Sequence, residues 1–254
     1  KAPLKKLQGR GYASGFWFNA GGESSAQVNI TEDGNVVVTT GHPDIGGSRA
    51  SIANITAELL GIDVNRVSVL IGDTATIGFS NLTGGSRVLF ASALVVTEST
   101  NQVIDILKDR ASKIWNIDKE AIEWENGEAR PAGDNAGKFK PLSLVELAEQ
   151  ATPTGGPIGA GHQVNTVGAE GGFATHICDV EVDIELGIAR VIRYTAAQDV
   201  GKAIHPAYVE GQLQGGVVQG IGWALNEEYI YNKEGKLDNP GFLDYRILSV
   251  LICP

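Results

Sequence analysis

Residues 41–61, with the sequence GHPDIGGSRASIANITAELLG, decide how this part of the chain folds. The run of β-branched residues at 36–40 leads into them, and such runs favour β-strands. Glycines in the stretch permit backbone turns that other residues resist. Ser48 is a favourable N-cap, and the apolar residues after it share one helical face until Gly61 ends the pattern. The sequence therefore predicts a strand, a glycine loop and a helix, in that order.

The N-terminus of this helix is a candidate anion site. A helix that starts directly after a glycine loop presents unpaired backbone N–H groups and the positive end of its dipole, which suits a phosphate. The stretch matches neither GxxxxGK[ST] nor GxGxxG, so a strand–helix turn without a ligand is the alternative interpretation. A second glycine turn, TGGSR at 83–87, precedes a long helix that the sequence predicts over about residues 86–113.

Composition excludes several classes of protein. The 254 residues are 43% hydrophobic, which is enough for the core of one large or two small domains. No apolar run approaches the roughly 20 residues that cross a bilayer, and a net charge of −10 argues against a nucleic-acid partner. Two cysteines are too few for a disulfide framework, so we expect a reducing, cytoplasmic location. The four histidines lack metal-binding spacing, and we expect no metal ligands in the chain.

The chain contains an internal repeat. Residues 26–40 are typical of a β-hairpin, and residues 174–200 repeat this pattern with a turn at Leu186 and Gly187. A loop and a helix follow in both places, so we predict an α+β fold of two related β-β-α units. The expected division is a first unit, a connecting segment rich in proline and glycine towards its end, and a second unit, at residues 1–117, 118–165 and 166–254.

The helix of the second unit is unusually rich in glycine. It begins at Pro206, and its interior contains five glycines, each of which weakens a helix by about 1 kcal/mol relative to alanine. This predicts close packing against another helix or a flat ligand. On that interpretation, leucine at Gly216 or Gly220 is expected to overpack the helix. The amide and hydroxyl groups beside the glycine loops, such as Ser86 and Gln212, would suit a polar, anionic, planar ligand.

Three segments resemble one known family. They are DIGGSRASIANITAELLGI (44–62), GDTATIGFSNLTGGSR (72–87) and DVGKAIHPAYVEGQLQGGVVQGIGWALNEEY (199–229). Together they resemble the C-terminal part of the molybdopterin-binding large subunit of the xanthine dehydrogenase/aldehyde oxidase family. The resemblance implies the mixed-sheet fold of that cofactor-binding domain. It also implies a molybdenum hydroxylase that oxidises an N-heterocycle or an aldehyde with oxygen drawn from water.

The resemblance also implies residues, cofactors and partners. The cofactor is molybdenum-molybdopterin, with the cytosine dinucleotide form as one alternative. The partners are the other half of the molybdopterin subunit, an iron–sulfur subunit, an FAD subunit and a small-molecule substrate. The matching positions predict two cofactor loops and a glutamine that hydrogen-bonds the pterin, with these residues: Gly46, Gly47, Ser48, Gly85, Ser86 and Gln212.

Two departures from the family bear on activity. The family often has G-Q-G where this chain has Gly46 and Gly47, and its general-base glutamate lies in a G-x-G-E segment beyond residue 254. We therefore expect no catalytic residue in this chain. Two other interpretations stay open: a truncated or diverged non-catalytic module with the same fold, and a phosphate- or nucleotide-binding α+β protein. The family interpretation further predicts that the loops at 44–49, 83–87 and 205–212 converge.

Overall fold

A computed structural model describes residues 5–72, 75–168 and 171–248 of the chain. The chain forms two compact units. Residues Phe18–Glu170 form one, which we call the inserted unit. Residues Lys1–Trp17 and Gly171–Pro254 form the other, which we call the split unit because the inserted unit interrupts its sequence.

The described residues form five helices and ten strands, together with three short 3₁₀ turns. In chain order they are β1 (Gln8–Trp17), β2 (Gly22–Ile30), β3 (Val36–Thr40), α1 (Ser48–Leu60), β4 (Val67–Ile71), α2 (Val88–Trp115), β5 (Ile122–Glu125), β6 (Glu128–Pro131), β7 (Leu142–Ser143), α3 (Leu144–Glu149), α4 (Ala151–Thr154), β8 (Ile158–Thr166), β9 (Gly172–Asp183), β10 (Ile188–Gln198) and α5 (Pro206–Leu225). No helix in this part of the chain is long and apolar enough to span a bilayer.

The inserted unit is built on a four-stranded mixed sheet with the order β4-β3-β2-β8. Strand β2 pairs antiparallel with β3 and β8, while β3 pairs parallel with β4. Helix α2 packs across β2 and β8, and α1 packs against α2 and β4. A second, three-stranded sheet has the order β5-β6-β7. The sheet and both helices bury one apolar core, which includes Val28, Val38, Ile52, Val95, Val103 and Leu107.

The strand–loop–helix prediction at 36–61 is confirmed. Strand β3 alternates between buried and half-buried residues, as a strand with one face on a core requires. Helix α1 ends where the sequence predicted, because Gly61 adopts the left-handed conformation that closes a helix. The long helix predicted over 86–113 is α2, whose bounds lie two residues further along the chain.

The segment expected to connect two units is instead part of the sheet of one. Residues Ile158–Thr166 form β8, which pairs with the whole of β2 from Gly22↔Thr166 to Ile30↔Ile158. Before it, the buried side chain of Arg110 donates hydrogen bonds to the carbonyls of residues 154–156 and so fixes the Pro/Gly-rich turn. The glycines that suggested a linker therefore make the turn that feeds an ordered strand.

The split unit contains an antiparallel sheet with the order β1-β9-β10, followed by α5. The predicted turn at Leu186 and Gly187 joins β9 to β10, and Gly187 has a φ of 66°. The buried carboxylate of Asp179 accepts hydrogen bonds from Arg10 on β1 and from Arg193 on β10. The bond from Arg10, followed by the bond from Arg193, lowers the pKa of Asp179 to about 2. One carboxylate thus links all three strands of this sheet.

The predicted fold of two related β-β-α units, with a mixed sheet, is confirmed. In the inserted unit β8, β2 and β3 lie side by side, and a loop leads from β3 to α1. In the split unit β1, β9 and β10 have the same order, and a loop leads from β10 to α5. The boundaries of the two compact units, after residues 17 and 170, differ from the expected divisions after 117 and 165. That both units contribute to binding the cofactor stays a prediction.

Close packing along the glycine helix is not formed within the described part of the chain, and packing against a flat ligand stays a prediction. A Cβ placed on Gly211, Gly215, Gly216 or Gly220 would meet no described atom within 4 Å. Only Gly222 lies against another group, the carboxylate of Glu227. These glycines therefore weaken α5 without a packing contact that compensates for the loss.

Alanine at Gly216 or Gly220 is therefore expected to stabilise the 254-residue chain by about 0.5–1 kcal/mol each, because alanine loses less backbone entropy in a helix. Chemical denaturation of the single variants would measure the change. Gly222→Ala is the matched control, since its Cβ would lie 2.1 Å from Glu227 Oε1 and should gain less. Destabilisation by both open-site alanines would restore the packing interpretation.

Candidate functional site

The two predicted glycine loops of the inserted unit share one backbone feature. Each ends in two consecutive left-handed residues directly before a helix begins. Before α1 these are Gly46 and Gly47, with φ of 63° and 77°. Before α2 they are Gly85 and Ser86, with φ of 62° and 57°, followed by the N-cap Arg87. A left-handed serine costs roughly 1–2 kcal/mol of backbone strain, so the surrounding structure holds Ser86 there.

In the first loop, a side chain already bonds to the N-terminus of the following helix, α1. Asp44 Oδ1 accepts a hydrogen bond from the backbone N–H of Arg49 at 3.0 Å, and its carboxylate pairs with the Arg49 side chain at 3.4 Å. Ser48 is the first helical residue, and the N-cap is Gly47, so the predicted serine cap is wrong. The buried Ser48 hydroxyl instead donates to the carbonyl of Pro43 at 3.2 Å. A carboxylate therefore already lies at the N-terminus of α1.

The second loop leaves its helix end open. No side chain caps α2, and its first turn contains no acidic residue. The carbonyls of the left-handed pair are hydrogen-bonded to residues that precede β2. Gly85 O accepts from the Ala20 N–H at 2.8 Å, and Ser86 O accepts from Asn19 Nδ2 at 3.1 Å. The first N–H groups of a helix have no partner within it, and here they coincide with the positive end of a 28-residue dipole. Of the two loops, this one is the better anion site.

Arg87 anchors the second loop to strand β2. Its side chain is 2% exposed, and all five of its N–H donors are used. No carboxylate forms an ion pair with it among the described residues. The acceptors are Gly21 O at 2.6 Å, Asn81 O at 3.0 Å, Leu82 O at 3.1 Å, Glu23 O at 2.6 Å and Ser24 Oγ at 3.0 Å. Burial lowers the pKa of Arg87, but its ordinary value is so high that it keeps its charge.

The two glycine turns lie in longer loops, between β3 and α1 and between β4 and α2, which we call the first and second loops. These longer loops contact each other. A Cβ on Gly41, at the start of the first loop, would lie 2.9 Å from Ser80 Oγ and 3.1 Å from Ile77 Cδ1 in the second. The same Ser80 hydroxyl accepts from the backbone N–H of Ser25 on β2 at 3.2 Å. The segments that lead into two of the three predicted loops therefore contact each other, and the convergence of residues 44–49 with 83–87 stays a prediction.

The third predicted loop belongs to the split unit. His205 is the N-cap of α5, and its ring stacks on Tyr208 with centroids 3.9 Å apart. Pro206 occupies the first turn, as predicted. Gln212 lies in the second turn of α5 and is exposed. Its role towards a pterin, and the convergence of all three loops, stay predictions.

Buried polar atoms without a partner flank all three loops. Among the described residues, five buried side-chain nitrogens or oxygens lack a hydrogen bond, and three of these belong to Asn19, His42 and His205. Asn19 Oδ1 lies beside the second loop, His42 Nδ1 at the start of the first, and His205 Nδ1 at the third. Each such atom costs about 1–3 kcal/mol unless a ligand or water satisfies it. In the described part of the chain, no group of three or more histidine, cysteine or acidic side chains is placed to hold a metal ion.

The comparison with known families agrees with this geometry. A model of the molybdopterin cofactor-binding domain matches residues 2–254. The chain belongs to this family. The resemblance to the molybdopterin-binding subunit of the xanthine dehydrogenase/aldehyde oxidase type, predicted from three segments, is thereby confirmed.

Relatives of this molybdopterin-binding domain include subunits that are named for a hydroxylase and for a dehydrogenase. The chain is 28% identical over 240 residues to the nicotine 6-hydroxylase large subunit of Paenarthrobacter nicotinovorans, covering 91% of the chain and 29% of the relative. It is 28% identical over 249 residues to a putative xanthine dehydrogenase molybdenum-binding subunit of Escherichia coli strain K12, covering 93% and 32%. The chain thus spans about a third of the length of these relatives.

Solved structures show the same fold for this family member. Quinoline 2-oxidoreductase from Pseudomonas putida 86 matches with a TM-score of 0.83 and 26% identity, over 98% of the chain and 34% of that protein. The reconstituted CO dehydrogenase from Oligotropha carboxidovorans matches with a TM-score of 0.87 and 21% identity, over 98% and 33%. The second similarity shows the fold alone.

Sequence reasoning missed the side chains that support the loops of this domain. Arg87 directly follows the predicted Ser86, but only the fold shows that it reaches back to β2. His42 shows no metal-binding spacing in the sequence, yet it is buried, and one of its ring nitrogens has no partner among the described residues. The one available signal was position, since both residues adjoin glycine loops.

Proposed function

We propose that this chain binds the molybdopterin cofactor, with the cofactor's phosphate end held at the loop that precedes α2. The parent protein would be a molybdenum hydroxylase that oxidises an N-heterocycle or an aldehyde with water-derived oxygen. The observation that carries the proposal is the left-handed pair Gly85 and Ser86 before an uncapped, acid-free helix N-terminus. Such an end offers several N–H donors and a positive dipole to a phosphate.

The residues divide into groups by what each would contact. The Ser86 hydroxyl is exposed beside the open N–H groups of α2, and both would hold phosphate oxygens. Gly46 and Gly47 would bring the backbone of the first loop close to the cofactor, although the nearby carboxylate of Asp44 makes that loop the poorer phosphate site. Gln212 would hydrogen-bond the pterin. The bound molybdenum centre would supply the redox chemistry, and the residues named here would only bind and orient it.

The partners and the catalytic base of the parent protein are proposals on the same footing. The curated relatives are named as subunits or large chains, which supports a complex with the other half of the molybdopterin subunit, an iron–sulfur subunit and an FAD subunit. The cytosine dinucleotide form of the cofactor and a cytoplasmic location also belong here; the low cysteine count supports the location. The competing proposal is a non-catalytic module of this fold.

Metal analysis and a dye-reduction assay would test the function. The purified 254-residue chain is expected to hold no stoichiometric molybdenum, because the cofactor would lack the contacts that the other half of the subunit adds. It is also expected to turn over no heterocycle or aldehyde, because a positioned general base typically contributes about 10²–10⁴-fold in rate. Adding its natural partner chains should restore both. Full molybdenum occupancy with turnover by the chain alone would contradict this expectation, and assembly without metal or turnover would favour the non-catalytic module.

Ser86→Asp and Ser86→Asn make a matched pair within the assembled protein. Both residues tolerate the left-handed conformation, but only aspartate places a negative charge where the phosphate would lie. The aspartate variant should lose most of its molybdenum and the asparagine variant should keep it. Equal molybdenum content in the two variants would contradict the proposal that the phosphate binds at this loop.

A further inference from the structure

Three buried polar side chains from three different elements form one hydrogen-bonded series. Ser24 lies in β2, His42 follows β3, and Arg87 precedes α2. Ser24 Oγ lies 2.8 Å from His42 Nε2 and 3.0 Å from Arg87 Nη2. The three side chains are 1%, 1% and 2% exposed, respectively. We call this series the Arg87–Ser24–His42 relay.

The chemistry of the three groups sets the direction of the hydrogen bonds. A guanidinium only donates, so Ser24 Oγ accepts from Arg87. That bond polarises the serine hydroxyl, whose own proton is then best donated to His42 Nε2. Burial, with the charge of Arg87 second, lowers the pKa of His42 to about 4, so the ring is neutral near pH 7. A neutral ring that accepts at Nε2 carries its proton on Nδ1, the nitrogen that has no partner among the described residues.

The relay joins the two glycine loops through one hydroxyl. Arg87 follows Ser86 directly, and its guanidinium also holds the carbonyls of Asn81 and Leu82 in the same loop. His42 lies within the first loop, four residues before Gly46. Any displacement of one loop away from β2 would therefore stretch its hydrogen bond to Ser24 Oγ. The other loop is hydrogen-bonded to the same oxygen atom.

We propose that Ser24 and His42 are positioning residues that hold the two glycine loops in one arrangement before any ligand binds. The purpose of that arrangement rests on the proposed cofactor site, but the coupling itself is a property of the empty protein. Neither residue needs to touch the cofactor. Both act through Arg87 and through the backbone of the loops.

Ser24→Ala separates the relay from the other contacts of the loops. Arg87 keeps its four bonds to backbone carbonyls in this variant, while His42 loses its side-chain partner. With no donor at Nε2, the ring no longer favours the Nδ1–H tautomer. Ser24→Thr keeps the hydroxyl and should restore the original state. Ser99→Ala is the matched control, because it also removes a buried hydroxyl, one that bonds within α2 and to β2 away from the loops.

Nitrogen-15 NMR of the 254-residue chain would identify the tautomer of His42. Amide hydrogen exchange would measure how often the backbone of each loop opens. The wild type and Ser24→Thr should show the Nδ1–H form, and Ser24→Ala a mixture with the Nε2–H form. Exchange should become roughly three- to tenfold faster at both 41–48 and 75–87 in Ser24→Ala, the factor that one lost hydrogen bond gives. Ser99→Ala should leave both segments unchanged.

Three results would overturn the proposal: an Nε2–H ring in the wild type, faster exchange in only one loop, or equal acceleration in Ser99→Ala. If Ser24→Ala unfolds, His42→Gln provides the same exchange test, because it removes the ring while Ser24 stays bonded to Arg87. These measurements use no cofactor. A failed molybdenum assay would therefore leave the relay standing, and a failed relay would leave the molybdenum assay interpretable.

Discussion

Replacing Arg87 with methionine is expected to lower the free energy of unfolding by about 3–5 kcal/mol, because several buried acceptors lose their donor at once and each such loss costs about 1–3 kcal/mol. Methionine fills the space of the aliphatic stem but donates no hydrogen bond. Four backbone carbonyls and the Ser24 hydroxyl then lose a donor together. The segment that contains the candidate phosphate loop should detach from β2.

Chemical denaturation of Arg87→Met beside Arg49→Met would measure this effect. Arg49 lies on α1 with its side chain 52% exposed, and its pair with Asp44 is of the surface kind that contributes about 0–1 kcal/mol. The difference between the two variants therefore isolates burial and hydrogen bonding from the loss of a positive charge. A cost below 1 kcal/mol at Arg87 would show that the loop does not depend on its guanidinium.

Gly85→Ala is the second large effect, with an expected cost of about 2–4 kcal/mol. Part of it, roughly 1–2 kcal/mol, is the strain of an L-residue in the left-handed conformation at a φ of 62°. The rest is overpacking, because the new Cβ would lie 2.8 Å from Ala20 Cβ and 3.1 Å from the ring of Phe18. The loop would have to move away from Asn19 and Ala20 to accept the methyl group.

Two companion variants separate the two costs of Gly85→Ala. Gly72→Ala has the same backbone problem, with a φ of 80°, but its Cβ would meet no described atom within 4 Å. Ala20→Gly in the Gly85→Ala background removes the closest atom and should return the steric part of the loss. Thermal or chemical unfolding of the single and double variants would give the free energies of unfolding for this double-mutant cycle. Equal costs at Gly72 and Gly85 would show that the contact with Ala20 is harmless.

The predictable parts of this fold are those with a strong local pattern. Strand β3, helix α1 and the cap at Gly61 follow from β-branched residues, helical periodicity and one glycine. A capping box formed by Ser143 and Glu146 likewise begins α3. In each case the residues that decide the structure are neighbours in sequence, so one sequence is enough to recognise them.

The unpredictable parts depend on partners that are distant in sequence. Strand β8 contains three glycines or alanines near its start and resembles a linker in sequence, but it pairs along its whole length with β2, which lies more than a hundred residues away in sequence. Ser48 is a residue type that often caps helices, yet its hydroxyl donates to the carbonyl of Pro43 instead. The left-handed Gly47 is the N-cap. The relay through Ser24, His42 and Arg87 is of the same kind, since three unremarkable polar residues meet only after the sheet forms.

The interrupted sequence of the split unit constrains the order in which the chain folds. Strand β1 leaves the ribosome before the inserted unit, and its partner β9 follows only after the whole inserted unit has been made. Phe16 stacks on Phe173 in the finished sheet, so until β9 arrives this aromatic side chain lacks its partner. Pairings of such long sequence separation form slowly, whereas residues 18–170 are contiguous and are complete when their last residue emerges. Strand β1 therefore waits unpaired while the 153 residues of the inserted unit are made, and a chaperone that covers it during that interval would prevent non-native pairing.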